Sequence, residues 1–256
     1  MIKYDTHIHT YPFSQDSHQR VEELMKINNH HPYGMILTEH MDYNYSGSDI
    51  KFEFNPKEYF ASYLPYRNDR FLLGVEMGLQ MDNLDSVKRT VDSYPFDMVI
   101  GAIHCVNGDI AFPDYYNNKS KQEAYSRYLD TMLSCIERYH DFDTLAHIDY
   151  MCRYATYDDP ELHVCDHRLA LEAIFNFIID HDICLEINTR RLGTENGYQT
   201  MNEILRLYHF LGGRYVTVGS DAHYVENVSM NFDKADCLIR AYNFIPVYFK
   251  ERKRME

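Results

Sequence analysis

Seven short apolar runs along this 256-residue chain each end in a side chain that can bind a metal ion. The runs are typical of β-strands that are buried on both faces, and helix-like stretches lie between them. This alternation predicts an α/β fold in which parallel strands form a TIM-like barrel. In such a barrel the carboxyl ends of the strands meet at one mouth, so residues from the whole chain would share one site. The runs span residues 2–9, 35–40, 71–76, 98–104, 144–147, 183–188 and 215–223.

Helical patterns fill most of the intervals between these runs, at residues 20–28, 56–66, 84–93, 121–139, 168–181 and 200–211. Asp166 is the predicted N-cap of the fifth helix, and Gly212-Gly213 is predicted to end the sixth. The stretch 108–118 follows a strand and has no regular period, which indicates a loop over the mouth. The basic stretch 250–254 is expected to fray as a terminus.

Composition bounds the function as well as the fold. No linker interrupts residues 1–256, so the chain is expected to form a single barrel domain. Its formal charge of −14 argues against a nucleic-acid partner, because the average surface would repel phosphates. No apolar stretch of about 18 residues and no leader are seen, so no membrane span is expected. The six cysteines have no close pair, which indicates reduced thiols and a cytoplasmic location. The oligomeric state stays open.

The first run ends in two histidines that one ion can share. His7 and His9 lie on the same side of an extended strand, because side chains alternate with a period of two residues. Asp5 has the same parity and is expected to orient a ligand imidazole. Asp16, in the following loop, is a candidate for a further carboxylate ligand. Two surface histidines and an ordinary turn aspartate are the alternative interpretation.

Each of the next four runs ends in a single candidate ligand, and the last run ends in a pair of candidate ligands, Asp221 and His223. Glu76 closes an otherwise apolar strand, where a carboxylate needs a partner: an arginine or lysine, or two metal ions that it bridges. Each motif alone has an ordinary structural explanation, but the whole set predicts a site for several divalent ions. Besides Glu76, the set contains His40, His104, His147, Asp221 and His223.

The order of these motifs resembles that of the polymerase-and-histidinol-phosphatase (PHP) superfamily. The neighbourhoods 100–104, 146–149 and 185–189 are similar to those of monofunctional histidinol-phosphate phosphatases. The resemblance implies a distorted seven-stranded (β/α) barrel of the PHP type with three divalent metal ions, which are zinc, iron or manganese. It also implies hydrolysis of L-histidinol phosphate to L-histidinol and phosphate in histidine biosynthesis. The small-molecule phosphate monoester would be the partner that the site binds.

The same resemblance assigns the ligands residue by residue. The first ion would be held by His7, His9, Glu76 and Asp221. Glu76 would bridge to the second ion, which is completed by His104 and His147. The third ion would be held by His40 and His223 together with Asp16, which is the loosest match to the family pattern.

A mechanism follows from these metals and from nearby arginines. A hydroxide between the first two ions is expected to attack phosphorus while the third ion binds a non-bridging oxygen. Phosphate also favours guanidinium groups, and Arg153 and either Arg190 or Arg191 follow strands that end at the mouth. The leaving alkoxide would take a proton from an acidic metal-bound water, from Asp221 or from His223.

Substrate identity is less constrained than reaction type. An acidic lip would suit the amine and the imidazole of histidinol phosphate, and Asp109, Asp114, Tyr115 and Glu195 are the candidates. One alternative is a PHP phosphoesterase that acts on nucleotides, oligonucleotides or phosphotyrosine. The other is a metal-stabilised barrel without catalytic activity that binds a phosphometabolite.

Overall fold

The computed structural model describes residues 1–45, 51–106 and 113–256. In these ranges a parallel sheet of eight strands runs in sequential order and curls into a barrel. The seven predicted strands are present, and the two-residue β8 is an addition that the sequence pattern does not predict. The strands are β1 Tyr4–Ile8, β2 Gly34–Met41, β3 Phe71–Gly78, β4 Val99–Ala102, β5 Thr144–Leu145, β6 Cys184–Asn188, β7 Tyr215–Gly219 and β8 Ile245–Pro246.

The barrel closes at the mouth, where the ends of β1 and β7 meet. Asp221 N donates a hydrogen bond to His7 O (2.8 Å), and His9 N donates one to Ala222 O (3.0 Å). At the opposite end β8 pairs with the start of β7, where Ile245 lies opposite Tyr215. The closure brings the first and last predicted ligand pairs to the same edge of the sheet.

Helices cover the outside of the sheet, and the six predicted helices are all found. Helix α6 begins five residues earlier than predicted, because the Thr194 side chain accepts a hydrogen bond from Gly197 N and caps it there. The prediction that Asp166 caps α5 is wrong: the N-cap is His167, without a side-chain cap. Gly212, at φ 99°, follows the end of α6 as predicted. The helices are α1 Val21–Asn28, α2 Pro56–Tyr63, α3 Leu84–Ser93, α4 Lys121–Arg138, α5 Arg168–Asp180, α6 Glu195–Phe210 and α7 Phe232–Tyr242.

The basic tail does not fray as predicted. Residues Tyr248–Lys250 (β9) and Lys253–Met255 (β10) form an antiparallel hairpin. Phe249 is buried with the side chains that fill the barrel interior. Arg252 pairs with the buried carboxylate of Asp143 at 2.8 Å. The positive charge of the tail therefore serves to close the base of the barrel.

The helices differ from membrane-spanning helices. Within the described ranges, none combines the length and the apolar character needed to cross it.

Candidate metal centre

Glu76, at the end of β3, lies at the middle of the mouth and is fully buried. Its Oε2 atom faces three imidazoles from the ends of β1 and β2. The distances from this oxygen are 3.4 Å to His7 Nε2, 3.6 Å to His9 Nε2 and 2.8 Å to His40 Nδ1. One carboxylate oxygen therefore faces the imidazoles supplied by β1 and β2.

The other oxygen of Glu76 faces a second group of imidazoles. Oε1 lies 3.3 Å from His104 Nε2 and 2.8 Å from His147 Nε2. These histidines follow β4 and β5 directly, so consecutive strands supply them. The two oxygens of one carboxylate thus serve separate imidazole groups, which is the geometry that a metal-bridging carboxylate requires.

Asp221 and His223 reach the mouth through a turn after β7. Asp221 is in the left-handed region, with φ 54°, a conformation that aspartate tolerates better than most residues. Its Oδ1 lies 3.5 Å from His9 Nε2. His223 Nδ1 lies 2.9 Å from the backbone oxygen of Asp221, so this nitrogen is the donor and Nε2 is available as a ligand.

Asp16 joins the mouth from the loop after β1. Its Oδ2 lies 3.0 Å from His223 Nε2 and 3.5 Å from His40 Nε2. The two imidazole nitrogens are themselves 3.4 Å apart. Asp16, His40 and His223 therefore converge on one point, although Asp16 was the loosest match to the family pattern.

The chemistry of this cluster fits divalent cations. In the described part of the chain, buried polar atoms at the mouth lack hydrogen-bond partners, which is costly unless another group satisfies them. They face one another across distances of a few ångströms, and overlapping triplets of potential ligand atoms lie within 4.8 Å of one another. The atoms are His7 Nε2, His9 Nε2, His40 Nδ1, Glu76 Oε2, His147 Nδ1 and Asp16 Oδ1.

The electrostatics of the cluster also favour the binding of cations. Burial alone would lower the pKa of His7, but the carboxylates of Glu186 and Glu76 raise it well above its ordinary value. Burial would also lower the pKa of His104, but the carboxylates of Asp42 and Glu76 raise it to about 10. The mouth therefore attracts positive charge strongly, and divalent ions compete with protons for these nitrogens.

Carboxylates behind the imidazoles fix their orientation, and the sequence analysis missed two of them. Glu186 Oε1 lies 2.6 Å from His7 Nδ1, and Asp42 Oδ1 lies 2.7 Å from His104 Nδ1. Both turn the Nε2 atom of their partner toward Glu76. The only sequence signal was position: Glu186 interrupts an apolar strand, and Asp42 follows His40 by two residues.

Asp5 does not contact a ligand imidazole, so that prediction is wrong. Its Oδ2 accepts hydrogen bonds from Ser220 Oγ (2.6 Å) and Ser229 N (2.7 Å). Asp5 therefore anchors the segment that carries Asp221, and its contact with His7 is a long hydrogen bond from the backbone N (3.4 Å) and not from the imidazole.

Glu39 is a further buried carboxylate beside the mouth. It accepts hydrogen bonds from Thr10 N (2.8 Å) and Ser14 Oγ (2.6 Å), and Ser14 Oγ lies 3.3 Å from His9 Nδ1. Burial raises the pKa of Glu39 to about 7. Glu39 thus supports the loop after β1 and, through Ser14, the ring of His9.

The three candidate arginines have different environments. Arg153 is half-buried and donates to Asp221 Oδ2 (2.6 Å) and Asn188 Oδ1 (2.9 Å). Arg190 is 43% exposed, and its guanidinium lies 3.6 Å from Asp221 Oδ1. Arg191 turns the other way.

The environment of Arg191 is a network of ion pairs. It pairs with Asp149 and Glu161, each at 2.6 Å. In the described part of the chain it is not among the groups that line the mouth cavity. Of the two neighbouring arginines, Arg190 is therefore the one that faces the mouth.

A cavity of about 270 Å³ opens above the cluster. Four residues that the sequence analysis did not assign lie in its wall: His18, Tyr150, Tyr154 and Tyr224. His7, His9 and Glu76 lie beneath it, fully buried. The predicted residues that line it are Asp16, His40, His104, His147, Arg153, Arg190, Asp221 and His223.

Among the described residues, the candidates for the acidic lip do not line this cavity. Tyr115 is buried, and its hydroxyl donates to Ala124 O (2.9 Å). Asp114 is exposed and accepts a hydrogen bond from Asn117 (2.9 Å), and Glu195 is an exposed residue of the first turn of α6. Asp109 and most of the predicted mouth loop, residues 107–112, lie outside the described residues.

Comparison with known proteins places this geometry in a family. A model of the PHP domain matches residues 5–190, well over half of the sequence. This chain belongs to the PHP family. The matched range contains His7, His9, Asp16, His40, Glu76, His104 and His147.

Relatives of this PHP chain match it over its full length. A probable histidinol-phosphatase of Clostridium acetobutylicum is 39% identical over 97% of both chains. A histidinol-phosphatase of Lactococcus lactis subsp. lactis is 30% identical over 95% of this chain and 93% of its own. The crystal structure of a histidinol phosphate phosphatase of Lactococcus lactis, in complex with zinc, L-histidinol and phosphate, superposes with a TM-score of 0.91. It is 27% identical and covers 99% of both chains. The chain is a PHP protein of the histidinol-phosphatase group.

Gly219 packs directly against two side chains of the cluster, His7 and Glu186, and its replacement tests this packing. In Gly219→Ala the new Cβ would lie 2.4 Å from His7 Cβ and 2.5 Å from Glu186 Oε1, so both side chains must move. We expect the variant to lose most of its bound metal and about 1–3 kcal/mol of unfolding free energy. Metal analysis and denaturant unfolding of the purified protein measure both quantities.

Gly193→Ala is the matched control. Its Cβ would meet only Asn231, at 3.4 Å, which is an ordinary contact. We expect wild-type metal content and stability from this variant. Equal metal loss in the two variants would contradict the role given to Gly219.

Proposed function

We propose that this PHP protein is a metal-dependent phosphomonoesterase that hydrolyses L-histidinol phosphate to L-histidinol and phosphate. One observation carries the proposal: a small cavity has a buried cluster of metal-binding side chains as its floor and Arg153 and Arg190 in its wall. A phosphate monoester needs both, since its oxygens are neutralised by cations and oriented by guanidinium groups. The full-length relatives named above supply the substrate.

The site has the ligands for three divalent ions, which are zinc, iron or manganese. The first ion would be held by His7, His9, Glu76 and Asp221. Glu76 would share the second ion with His104 and His147, as the separate environments of its two oxygens suggest. Asp16, His40 and His223 would hold the third. Imidazole and carboxylate ligands suit all three metals.

Bound divalent ions lower the pKa of water and stabilise negative charge on phosphate oxygens. The chain itself orients the phosphate. Arg153 is held in place by Asn188, and its guanidinium faces the same cavity as Arg190. The planar guanidinium of each arginine can donate two parallel hydrogen bonds to phosphate oxygens.

Asp221 and His223 are better placed as metal ligands than as proton donors. Burial would raise the pKa of Asp221, but the guanidinium of Arg153 holds it well below its usual range. Asp221 therefore stays ionised, as a metal-binding carboxylate must be. His223 Nδ1 is engaged by the Asp221 backbone, which leaves Nε2 for a metal ion.

Aromatic groups in the cavity wall suit the organic half of the substrate. The His18 and Tyr224 rings stack with centroids 4.5 Å apart. Tyr150 and Tyr154 contribute two more rings to the same cavity. A planar imidazole such as that of histidinol packs well against such surfaces.

The whole chain is proposed to act as one catalytic unit in the cytoplasm. Asp221 and His223 lie beyond the residues that match the PHP model, yet they complete the mouth with β1 residues. All six cysteines are unlinked by disulfides, which is usual for proteins of reducing compartments.

Steady-state phosphate release from metal-loaded protein tests the function. We expect kcat/KM for L-histidinol phosphate to exceed that for a nucleoside monophosphate, phosphotyrosine and p-nitrophenyl phosphate by several orders of magnitude. The same protein stripped with a chelator is the control and should release little phosphate from any of them. Comparable low rates on all four substrates with full metal loading would contradict the substrate assignment.

The neighbours Arg190 and Arg191 form a matched pair for mutation. Arg190→Ala is expected to reduce kcat/KM about 10- to 100-fold, because it removes a charged hydrogen bond to phosphate, and to leave stability unchanged. Arg191→Ala leaves Asp149 and Glu161 without their partner and is expected to cost about 3 kcal/mol of stability. Kinetics and urea unfolding of both variants separate the effects. The reverse pattern, in which Arg191→Ala alone impairs catalysis, would contradict the assignment.

A further inference from the structure

Strand β6 supplies none of the proposed metal ligands, yet it ends in polar residues beneath the cluster. Glu186 is fully buried and Asn188 is 3% exposed. Burying a carboxylate is costly unless it is paired and hydrogen-bonded. The contacts of Glu186 therefore show what this residue does.

Glu186 contacts one residue from each of the first two proposed metal sites, through one imidazole and one backbone amide. Its Oε1 lies 2.6 Å from His7 Nδ1, and its Oε2 accepts a hydrogen bond from His147 N at 2.9 Å. His7 belongs to the proposed first ion and His147 to the second. The carboxylate thus fixes the ring of one ligand and the backbone from which the other ligand projects.

Neighbouring groups hold Glu186 in this position. Asn188 Nδ2 donates to Glu186 Oε2 (3.1 Å), and Asn188 Oδ1 accepts from Arg153 (2.9 Å). Gly219, on the adjacent strand, leaves the space into which Oε1 fits. The carboxylate is therefore connected to the metal ligands on one side and to the proposed phosphate-binding arginine on the other.

We propose that Glu186 is a positioning residue that sets the metal affinity of the first two sites together. With Nδ1 of His7 as the donor to Glu186, the Nε2 lone pair of His7 points at Glu76 and the first ion. The hydrogen bond from His147 N to Glu186 fixes the backbone of His147, and therefore the distance between the ligands of the first ion and those of the second. This inference rests on the ligand set of the proposed function, but it makes no use of the substrate.

Zinc binding to the full chain tests the role of Glu186. Equilibrium dialysis against buffered zinc, followed by metal analysis, gives the dissociation constants of wild type and Glu186→Gln. The glutamine keeps the size of the side chain but loses the charge and one of the two acceptor oxygens. We expect zinc affinity at two sites to fall about 10- to 100-fold, with the third site unchanged. Glu186→Asp, which is too short to reach both partners, is expected to show the same loss if the glutamine variant does not fold.

Thr217→Val is the matched control, because Thr217 lies opposite Glu186 in the register of β6 and β7. It is equally buried, and its hydroxyl contacts Thr144 (2.8 Å) instead of a ligand. We expect wild-type zinc affinity from this variant. A lower melting temperature of metal-free Glu186→Gln with unchanged zinc dissociation constants would overturn the proposal and reduce Glu186 to a structural residue.

The zinc measurement is independent of the substrate assignment. If the wild type fails to hydrolyse histidinol phosphate while Glu186→Gln loses zinc at two sites, the proposed function fails and the role of Glu186 stands. If the wild type hydrolyses it and Glu186→Gln binds zinc normally, only the role of Glu186 fails.

Discussion

The structure depends on one buried carboxylate. Glu76 is fully buried, and five imidazoles face its two oxygens, at distances of 2.8 to 3.6 Å. A lone carboxylate in such a place would be strongly destabilising, so the surrounding groups must supply positive charge. Without ions, protons on the imidazoles provide it, which is why the pKa values of His7 and His40 are raised well above their usual range against the effect of burial.

The barrel brings these charged groups together at its mouth. Consecutive strands deliver imidazoles to the same edge, and closure between β1 and β7 adds Asp221 to His7 and His9. Residues behind the cluster then fix each ring, as Asp42 does for His104. The packing around the mouth thus accounts for Gly219, which lies against His7, and for the polar end of β6.

The positions of the proposed metal ligands could be predicted from the sequence, because each depends on where a nearby apolar strand ends. A polar residue that ends an apolar strand must lie at the mouth of a barrel, which places Glu76, His104 and His147. Asp221 and His223 also converge, but through a left-handed turn after β7 and not through strand alternation. The family resemblance supplied the proposed number of ions and the reaction, which spacing alone does not contain.

Long-range contacts were beyond the sequence pattern. The difference between Arg190 and Arg191 follows from Asp149 and Glu161, which lie elsewhere in the chain. Likewise, Arg252 is ordered by Asp143, more than a hundred residues away. Nothing in the local sequence distinguishes such residues from solvated surface charges, because their partners are fixed only by the fold.

The most direct test of the central claim is diffraction from metal-loaded crystals at the zinc absorption edge. The account predicts anomalous peaks on both sides of Glu76, with each carboxylate oxygen about 2.0–2.2 Å from a different ion. Ions bound elsewhere, or a single ion that contacts Glu76 through one oxygen, would contradict the bridging role on which the rest depends.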